Sequence, residues 1–293
     1  MPPVQAQDPA KAPVRVASIA INPAGAITGF TRDSSNVFHG YLRAANGTFT
    51  TFDVSGAGTG LFQGTQGENI NPAGVIAGDY TDSSGVLHGF VRNPDGTITS
   101  FDAPGAGTGP GQGTLIGTVD NLNASGAISG TSIDANNVFH GYLRSPNGTI
   151  TVLDAPGAGT GPNQGTECSG INNAGTITGA YIDSSDVNHG FTRASDGTFT
   201  TFDVSGAGTG PGQGTLPENI NEPGATTGQY VDSNGVNHGF LRTPDGTITT
   251  FDAPGAGTGS GQGTVPSCNN NVDAITGWYL DSNNTWHGFL RTP

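Results

Sequence analysis

Basic side chains are nearly absent from this chain. Lysine occurs once, at Lys11, and arginine supplies the other eight of nine bases against 23 acids, a formal net charge of −14. Nucleic-acid binding draws its affinity from clustered Lys and Arg on phosphates, so that class of partner is excluded. The same surface is repelled by anionic membrane faces, and no apolar run approaches the roughly 20 residues that span a bilayer. Cysteine is confined to Cys168 and Cys268. Scaffolds that depend on disulfides carry far more, so two free thiols are expected, neither with the neighbours of a nucleophile. The first residues, MPPVQAQDPAKAP, lack the basic start and apolar stretch of a signal peptide. With the excess of Thr, Ser, Asn and Gly they read as the mature form of a secreted bacterial protein. Helical apolar periodicity is missing throughout, and few stretches escape glycine for long enough to make a helix worthwhile.

Glycine and proline, by contrast, are abundant, 50 and 19 of 293 residues. Without periodicity such a content marks low complexity. Here it is periodic: His-Gly recurs six times, at His39, His88, His140, His189, His238 and His287, spaced by 49 or 52 residues. Within the fifth copy four extended segments can be read, Leu216–Asn221, Ala225–Val231, Val236–Arg242 and Thr247–Asp252. They are separated by Pro223-Gly224, Asn234-Gly235 and Asp245-Gly246, turn pairs that accept positive φ and join antiparallel strands. A longer GAGTG connection then leads to the next copy. The expected fold is all-β, one domain over residues 1–293, a six-bladed β-propeller of four-stranded antiparallel blades. Because the sixth copy stops before its fourth strand, the N-terminal segment is expected to complete the last blade and close the ring.

The segments HGFVRNPDGTITSFD (His88–Asp102) and HGFTRASDGTFTTFD (His189–Asp203) resemble the HAF family of probable extracellular repeats. The resemblance covers nearly the whole chain and implies an exported bacterial repeat protein. It supplies no catalytic motif.

The repeated polar residues read as structural. The six histidines are expected to pack between blades and hydrogen-bond a nearby Asp or backbone group. Arg43, Arg92, Arg144, Arg193, Arg242 and Arg291 are expected to form ion pairs with Asp-rich neighbours. The Asp that opens each second turn offers calcium too few carboxylates for its 6–8 oxygens, so neither a metal nor any other cofactor is assigned. Packing preserves symmetry whereas a unique ligand breaks it, which moves attention to the places where copies differ. The third copy has three extra residues near Leu115-Ile116-Gly117, the sixth has a variant turn at Asn270–Asp273, and the sixth holds both tryptophans. Candidate ligand-binding residues are therefore Glu68, Asn69, Asp120, Asn121, Glu218 and Asn219 near the channel mouth, with Trp278 and Trp286. A ring of the three acids there is one way to hold a cation, solvated channel lining the other.

No nucleophile elbow, HExxH or paired acid and base unique to one copy stands out. The reading is a non-enzymatic, monomeric scaffold or binding protein, with glycans or a cell-surface protein as partner. Near-identical inter-blade clefts would each take one sugar and gain avidity together. The alternatives are a self-associating structural propeller, and a hydrolase or lyase acting on polysaccharide. A catalytic pair would have to share one pocket lined by non-repeated residues.

Overall fold

The computed structural model of the chain describes residues 15–117 and 120–293. Alternating residues bounded by Asx and glycine turns make short strands that pair in chain order. The first unit comprises β1 (Arg15–Ile21), β2 (Ile27–Arg32), β3 (Phe38–Arg43) and β4 (Phe49–Phe52). The second comprises β5 (Gly64–Ile70), β6 (Ile76–Thr81), β7 (Leu87–Arg92) and β8 (Ile98–Phe101). The third is β9 (Gly113–Leu115), β10 (Ile128–Ile133), β11 (Phe139–Arg144) and β12 (Ile150–Leu153). The fourth is β13 (Gly165–Ile171), β14 (Ile177–Ile182), β15 (Asn188–Arg193) and β16 (Phe199–Phe202). The fifth is β17 (Gly214–Ile220), β18 (Thr226–Val231), β19 (Asn237–Arg242) and β20 (Ile248–Phe251), and the sixth β21 (Gly263–Asn269), β22 (Ile275–Leu280) and β23 (Trp286–Arg291). The protein is thus an all-β repeat fold of five four-stranded units and a sixth with three strands among the described residues. The expected N-terminal closing strand lies outside the described residues.

Each unit is an antiparallel meander, for instance Ala180 opposite Gly190 between β14 and β15 and Phe191 opposite Thr201 between β15 and β16. A single parallel bridge ties the third strand to the first strand of the next unit, as at Asn188 and Gly214. The first strand carries a bulge in every unit but the third: the register slips between Ser18 and Ala20, Gly67 and Asn69, Cys168 and Gly170, Pro217 and Asn219, and Pro266 and Cys268. The extra residues are Ile19, Glu68, Ser169, Glu218 and Ser267, lifted out of the pleat. In the third unit the first strand, β9, stops at Leu115.

Two repeated glycines are dictated by close approach. A Cβ on Gly179 would lie 2.0 Å from the Glu167 carbonyl oxygen at the bulge, and one on Gly190, which follows His189, would lie 2.8 Å from the Phe202 ring. The glycine of every His-Gly pair except the third and sixth faces the aromatic ring of the fourth strand in this way.

Hydrophobic cores form at the junctions between units. Phe52 and Val54 of the first unit pack with Ile70, Ile76, Tyr80 and Phe90 of the second. Phe90, Phe191 and Phe240 are fully buried, each contributing on the order of 2–3 kcal/mol of burial. Polar contacts repeat with the same phase. Asn22, Asn71, Asn123, Asn172 and Asn221 each donate a side-chain N–H to the carbonyl of the equivalent Asn in the next unit, at 2.9–3.3 Å. Thr65, Thr114, Thr166, Thr215 and Thr264 accept a backbone N–H from the preceding unit.

The two end units leave flanks open. Ile21 is 66% exposed where Ile171 and Ile220 are 3%, and Leu290 is 67% exposed where Leu241 is 7%. Strand pairing joins no strand of the first unit to one of the sixth among the described residues.

Candidate functional site

Alignment of the six units separates two faces of each sheet. On one face the second and third strands carry near-invariant residues, such as Ile177, Gly179 and Tyr181 opposite Arg193, Phe191 and His189. On the other, the residues at the outlet end differ from copy to copy. The position of Ala180 is Phe30, Asp79, Thr131, Gln229 or Trp278 elsewhere, and that of Asn188 is Phe38, Leu87, Phe139, Asn237 or Trp286. The first strand adds two more variable positions, those of Glu167 and of the bulge.

Variable positions converge on one pocket of about 360 Å³ between the third, fourth and fifth units. Its wall is Leu115, Thr131, Ile133 and Phe139 on one side and Leu216 and Pro217 on the other. Glu167 and Glu218, on the neighbouring strands β13 and β17, both line it. Burial pushes the Glu167 carboxyl up. Burial, with the Glu167 carboxylate as a second cause, pushes Glu218 up to about 7. A carboxyl poised near neutrality donates a hydrogen bond when protonated and accepts when not. Asn121, fully buried, also lines the pocket. Its amide N–H groups go to Ser129, while its Oδ1 has no partner. Cys168 lies at the back, free, with a thiol that burial pushes up to about 12, and so is no nucleophile.

The candidates read from sequence are thus dispersed rather than gathered in one ring. Glu218 and Asn121 enter this pocket. Glu68 is buried at the junction of the second and third units, where burial and then the Asp79 carboxylate beside it push its own carboxyl well up. Asp79 is pushed up by burial to about 7 and accepts the Ile116 N–H at 3.1 Å. Asn69 is a buried clamp that donates to the Gly117 carbonyl and accepts from the Asn121 N–H. Asp120 lines a second cavity, of about 240 Å³, and Asn219 donates to it at 2.7 Å. The acids form no common ring because two of them sit on bulges facing different junctions and the third on the inserted loop. The rings of Trp278 and Trp286 pack against each other, tilted, with centres 4.1 Å apart in the sixth unit, in the very columns that supply Thr131 and Phe139 to the pocket, and Trp286 is 64% exposed.

Sequence reasoning missed Glu167, Asp79 and Phe139, all visible as departures in a column-by-column comparison of the copies. It also missed Leu61 and Phe62, exposed on the first long loop. Phe62 holds φ +59°, in the left-handed region that Gly111, Gly212, Gly261 and Asn163 take in other copies. The Arg32 guanidinium lies 5.2 Å from the centre of its ring.

The repeated residues have other duties. In the first five units His Nδ1 meets the Asp that follows the fourth strand at 2.8–2.9 Å. Nε2 faces the turn Asp at 3.2–3.8 Å in all six. Four of the rings stack on a tyrosine of the adjacent strand at 4.8–4.9 Å. Each histidine therefore bonds within its own unit. Five of the six arginines expected to pair with aspartates instead lie over phenylalanine rings: Arg92 over Phe52, Arg144 over Phe101, Arg193 over Phe199, Arg242 over Phe202 and Arg291 over Phe251, at 4.8–5.8 Å. Every ion pair within 4 Å among the described residues is a His–Asp pair. The contact comes with burial: the Nε of Arg92, Arg144 and Arg193 and one Nη of Arg291 are buried without a hydrogen-bond partner.

No family model matches the chain, and no curated protein sequence does either. Among solved structures, the chain is similar to a fungal lectin from Aleuria aurantia, described as a six-bladed β-propeller with a fucose recognition mode. That likeness has 13% identity over 96% of both chains and a TM-score of 0.44. It is also similar to a subtype N10 neuraminidase-like protein of A/little yellow-shouldered bat/Guatemala/060/2010, at 11% identity over 96% of this chain and 95% of that one, TM-score 0.43. A puromycin hydrolase S511A mutant follows at 10% identity, covering 98% of this chain and 56% of the other, TM-score 0.38. At these values the likenesses assign neither a ligand nor an activity.

Proposed function

We propose that this protein is a secreted, non-enzymatic carbohydrate-binding repeat protein whose ligand occupies the pocket between the third, fourth and fifth units. The observation that carries the proposal is the pocket's lining: apolar walls from Leu115, Ile133, Phe139 and Leu216, the carboxyls of Glu167 and Glu218, both pushed up by burial, and the unpartnered Asn121 Oδ1. That set suits a neutral ligand with an apolar face and a rim of hydroxyls, which is the chemistry of a sugar. Identical sites on every unit do not serve this purpose. The repeated Phe and Tyr rings are buried or stacked, and the repeated Arg and His groups are engaged within the sheets. The sites are instead unlike one another, with Trp278–Trp286 and Phe30–Phe38–Phe62 as aromatic counterparts elsewhere. The reading takes the six units as a closed propeller ring in which the open flanks around Ile21 and Leu290 cover each other.

A second reading, hydrolysis of a glycosidic bond, rests on Glu167 and Glu218 sharing one pocket of non-repeated residues. A glycan array probed with wild-type protein and with Glu167→Ala tests both. Binding reduced at least about tenfold by the substitution is expected. A blank array, or equal binding by the variant, overturns the proposal. Release of reducing ends from a bound polysaccharide, lost in Glu218→Gln, replaces it with the hydrolase.

A further inference from the structure

We infer that the first unit carries a separate site for a carboxylate-bearing sugar, a terminal uronic acid, built from the Arg32 guanidinium and the rings of Phe30, Phe38 and Phe62. That the occupant is a sugar rests on the carbohydrate reading above, whereas the charge it carries follows from these residues alone. Arg32 ends β2 and has no counterpart, since the same position is Thr81, Ile133, Ile182, Val231 or Leu280 in the other units. Strand register sets Phe38 of β3 directly opposite it on one side and Arg15 of β1 on the other. Phe30, two residues earlier on β2, shares its face. Arg15 is as singular as Arg32, standing where the later units have Gly64, Gly113, Gly165, Gly214 and Gly263. Two of the chain's nine bases thus occupy opposed positions of one strand pair. Like charges so placed do not stabilise the pairing.

The rings gather beside the guanidinium. Phe30 and Phe38 meet edge to face with centres 5.2 Å apart, Phe62 lies 6.3 Å from Phe38, and the Arg32 guanidinium is 5.2 Å from the centre of the Phe62 ring. The loop has no need of the Phe62 side chain. Its backbone N–H bonds the Asn36 carbonyl just as the Gly111 N–H bonds that of Gly85, and glycine takes the positive φ there without strain. Nor does the interior use the ring, which is exposed, as is Leu61 before it. A bulky residue kept in a strained conformation at the surface fits contact with something outside the chain. Arg32 is equally available. Arg92 and Arg242 are buried, whereas Arg32 is half-buried, and no carboxylate lies within 4 Å of it among the described residues. A guanidinium holds a planar carboxylate through two parallel N–H groups, and the neighbouring rings take the apolar face of a pyranose. Densely charged polyanions are repelled by the net charge of −14. One carboxylate on the bound sugar is the charge that this local patch accommodates.

The test is titration calorimetry of the full chain with trigalacturonate and with its neutral methyl ester, in ~0.05 M NaCl so that the charge contact is not screened away. The acid is expected to bind at least about tenfold tighter than the ester, a preference that Arg32→Gln abolishes. Phe62→Gly, which puts into the loop the residue that other copies have there, is expected to weaken the acid several-fold without lowering the melting temperature. Glu167→Ala is expected to leave the acid preference unchanged, because that residue lines the other pocket. Absence of saturable heat with the acid up to about 10 mM overturns the inference. So does equal binding of acid and ester, or an acid preference that survives Arg32→Gln. Binding of neutral array glycans and its loss in Glu167→Ala stand or fall independently of these results.

Discussion

Replacing Glu218 with Gln should make the protein more stable, and only at neutral and alkaline pH. In the folded chain the carboxyl is held at about 7 against an ordinary value of 4.5, so between those values the unfolded chain releases a proton that the folded chain keeps. The folded-state value is raised. The stability linked to this group is therefore fully present below about 4.5 and is lost as pH rises through about 7. The gap corresponds to an upper figure of roughly 3 kcal/mol, and partial solvent access of the pocket reduces it to about 2. Gln keeps the shape and a donor without the charge. The melting temperature of Glu218→Gln should match wild type at pH 4.5 and exceed it by about 3–5 °C at pH 8. The assay is a pair of thermal melts followed by circular dichroism across that pH range. A variant shifted equally at both pH values, or destabilised at pH 8, refutes the reasoning, because either result means that the carboxyl is not held neutral by its surroundings.

Other consequences can be checked as directly. Gly190→Ala places a Cβ 2.8 Å from the Phe202 ring and 3.1 Å from Pro217, so a loss of about 2–3 kcal/mol in urea-induced unfolding is expected. The turn aspartates Asp33 and Asp281 are held below the usual carboxylate range by backbone N–H groups, first Val37 and Thr285 respectively. The stability they add is present above the ordinary value of 3.8 and is lost as pH falls below it. With the raised carboxyls acting in the opposite sense, the stability maximum should lie near pH 4–5. In native protein Cys168 should resist iodoacetamide at pH 8 while the unfolded chain reacts, since its thiol is buried and pushed up to about 12.

Most of the architecture could be read from the repeated residues. The Asn-Gly and Asp-Gly turns, the alternation of the second and third strands, and the four segments per copy all appear where the spacing places them. His-Gly also had a physical reason visible only in three dimensions: the glycine leaves room for the aromatic ring of the fourth strand. The partners of the arginines were misread, since a sequence shows that Asp95 lies near Arg92 but not that Phe52 of the preceding unit presents its face to the guanidinium. The bulge was invisible too. A one-residue slip in the first strand decides that Glu68 and Glu218 leave the pleat, and which junction each then faces depends on packing between units. Glu167 was hidden for another reason, as it stands alone in a column of Ala, Gln, Leu and Val and became significant only when Glu218 was found in the same pocket. The insertion at Gly117 was the clearest departure in the sequence, and that Asp120 just beyond it lines a second cavity needed the fold.

The central claim is that ligand is held where the copies differ, and amide hydrogen exchange of the protein saturated with its best array glycan addresses it most directly. The account predicts added protection confined to the pocket, on Leu115–Gly117, Glu167–Ser169 and Leu216–Glu218. Equal protection of the His–Asp turns in all six units would contradict it and return the repeated residues to the role of binding site.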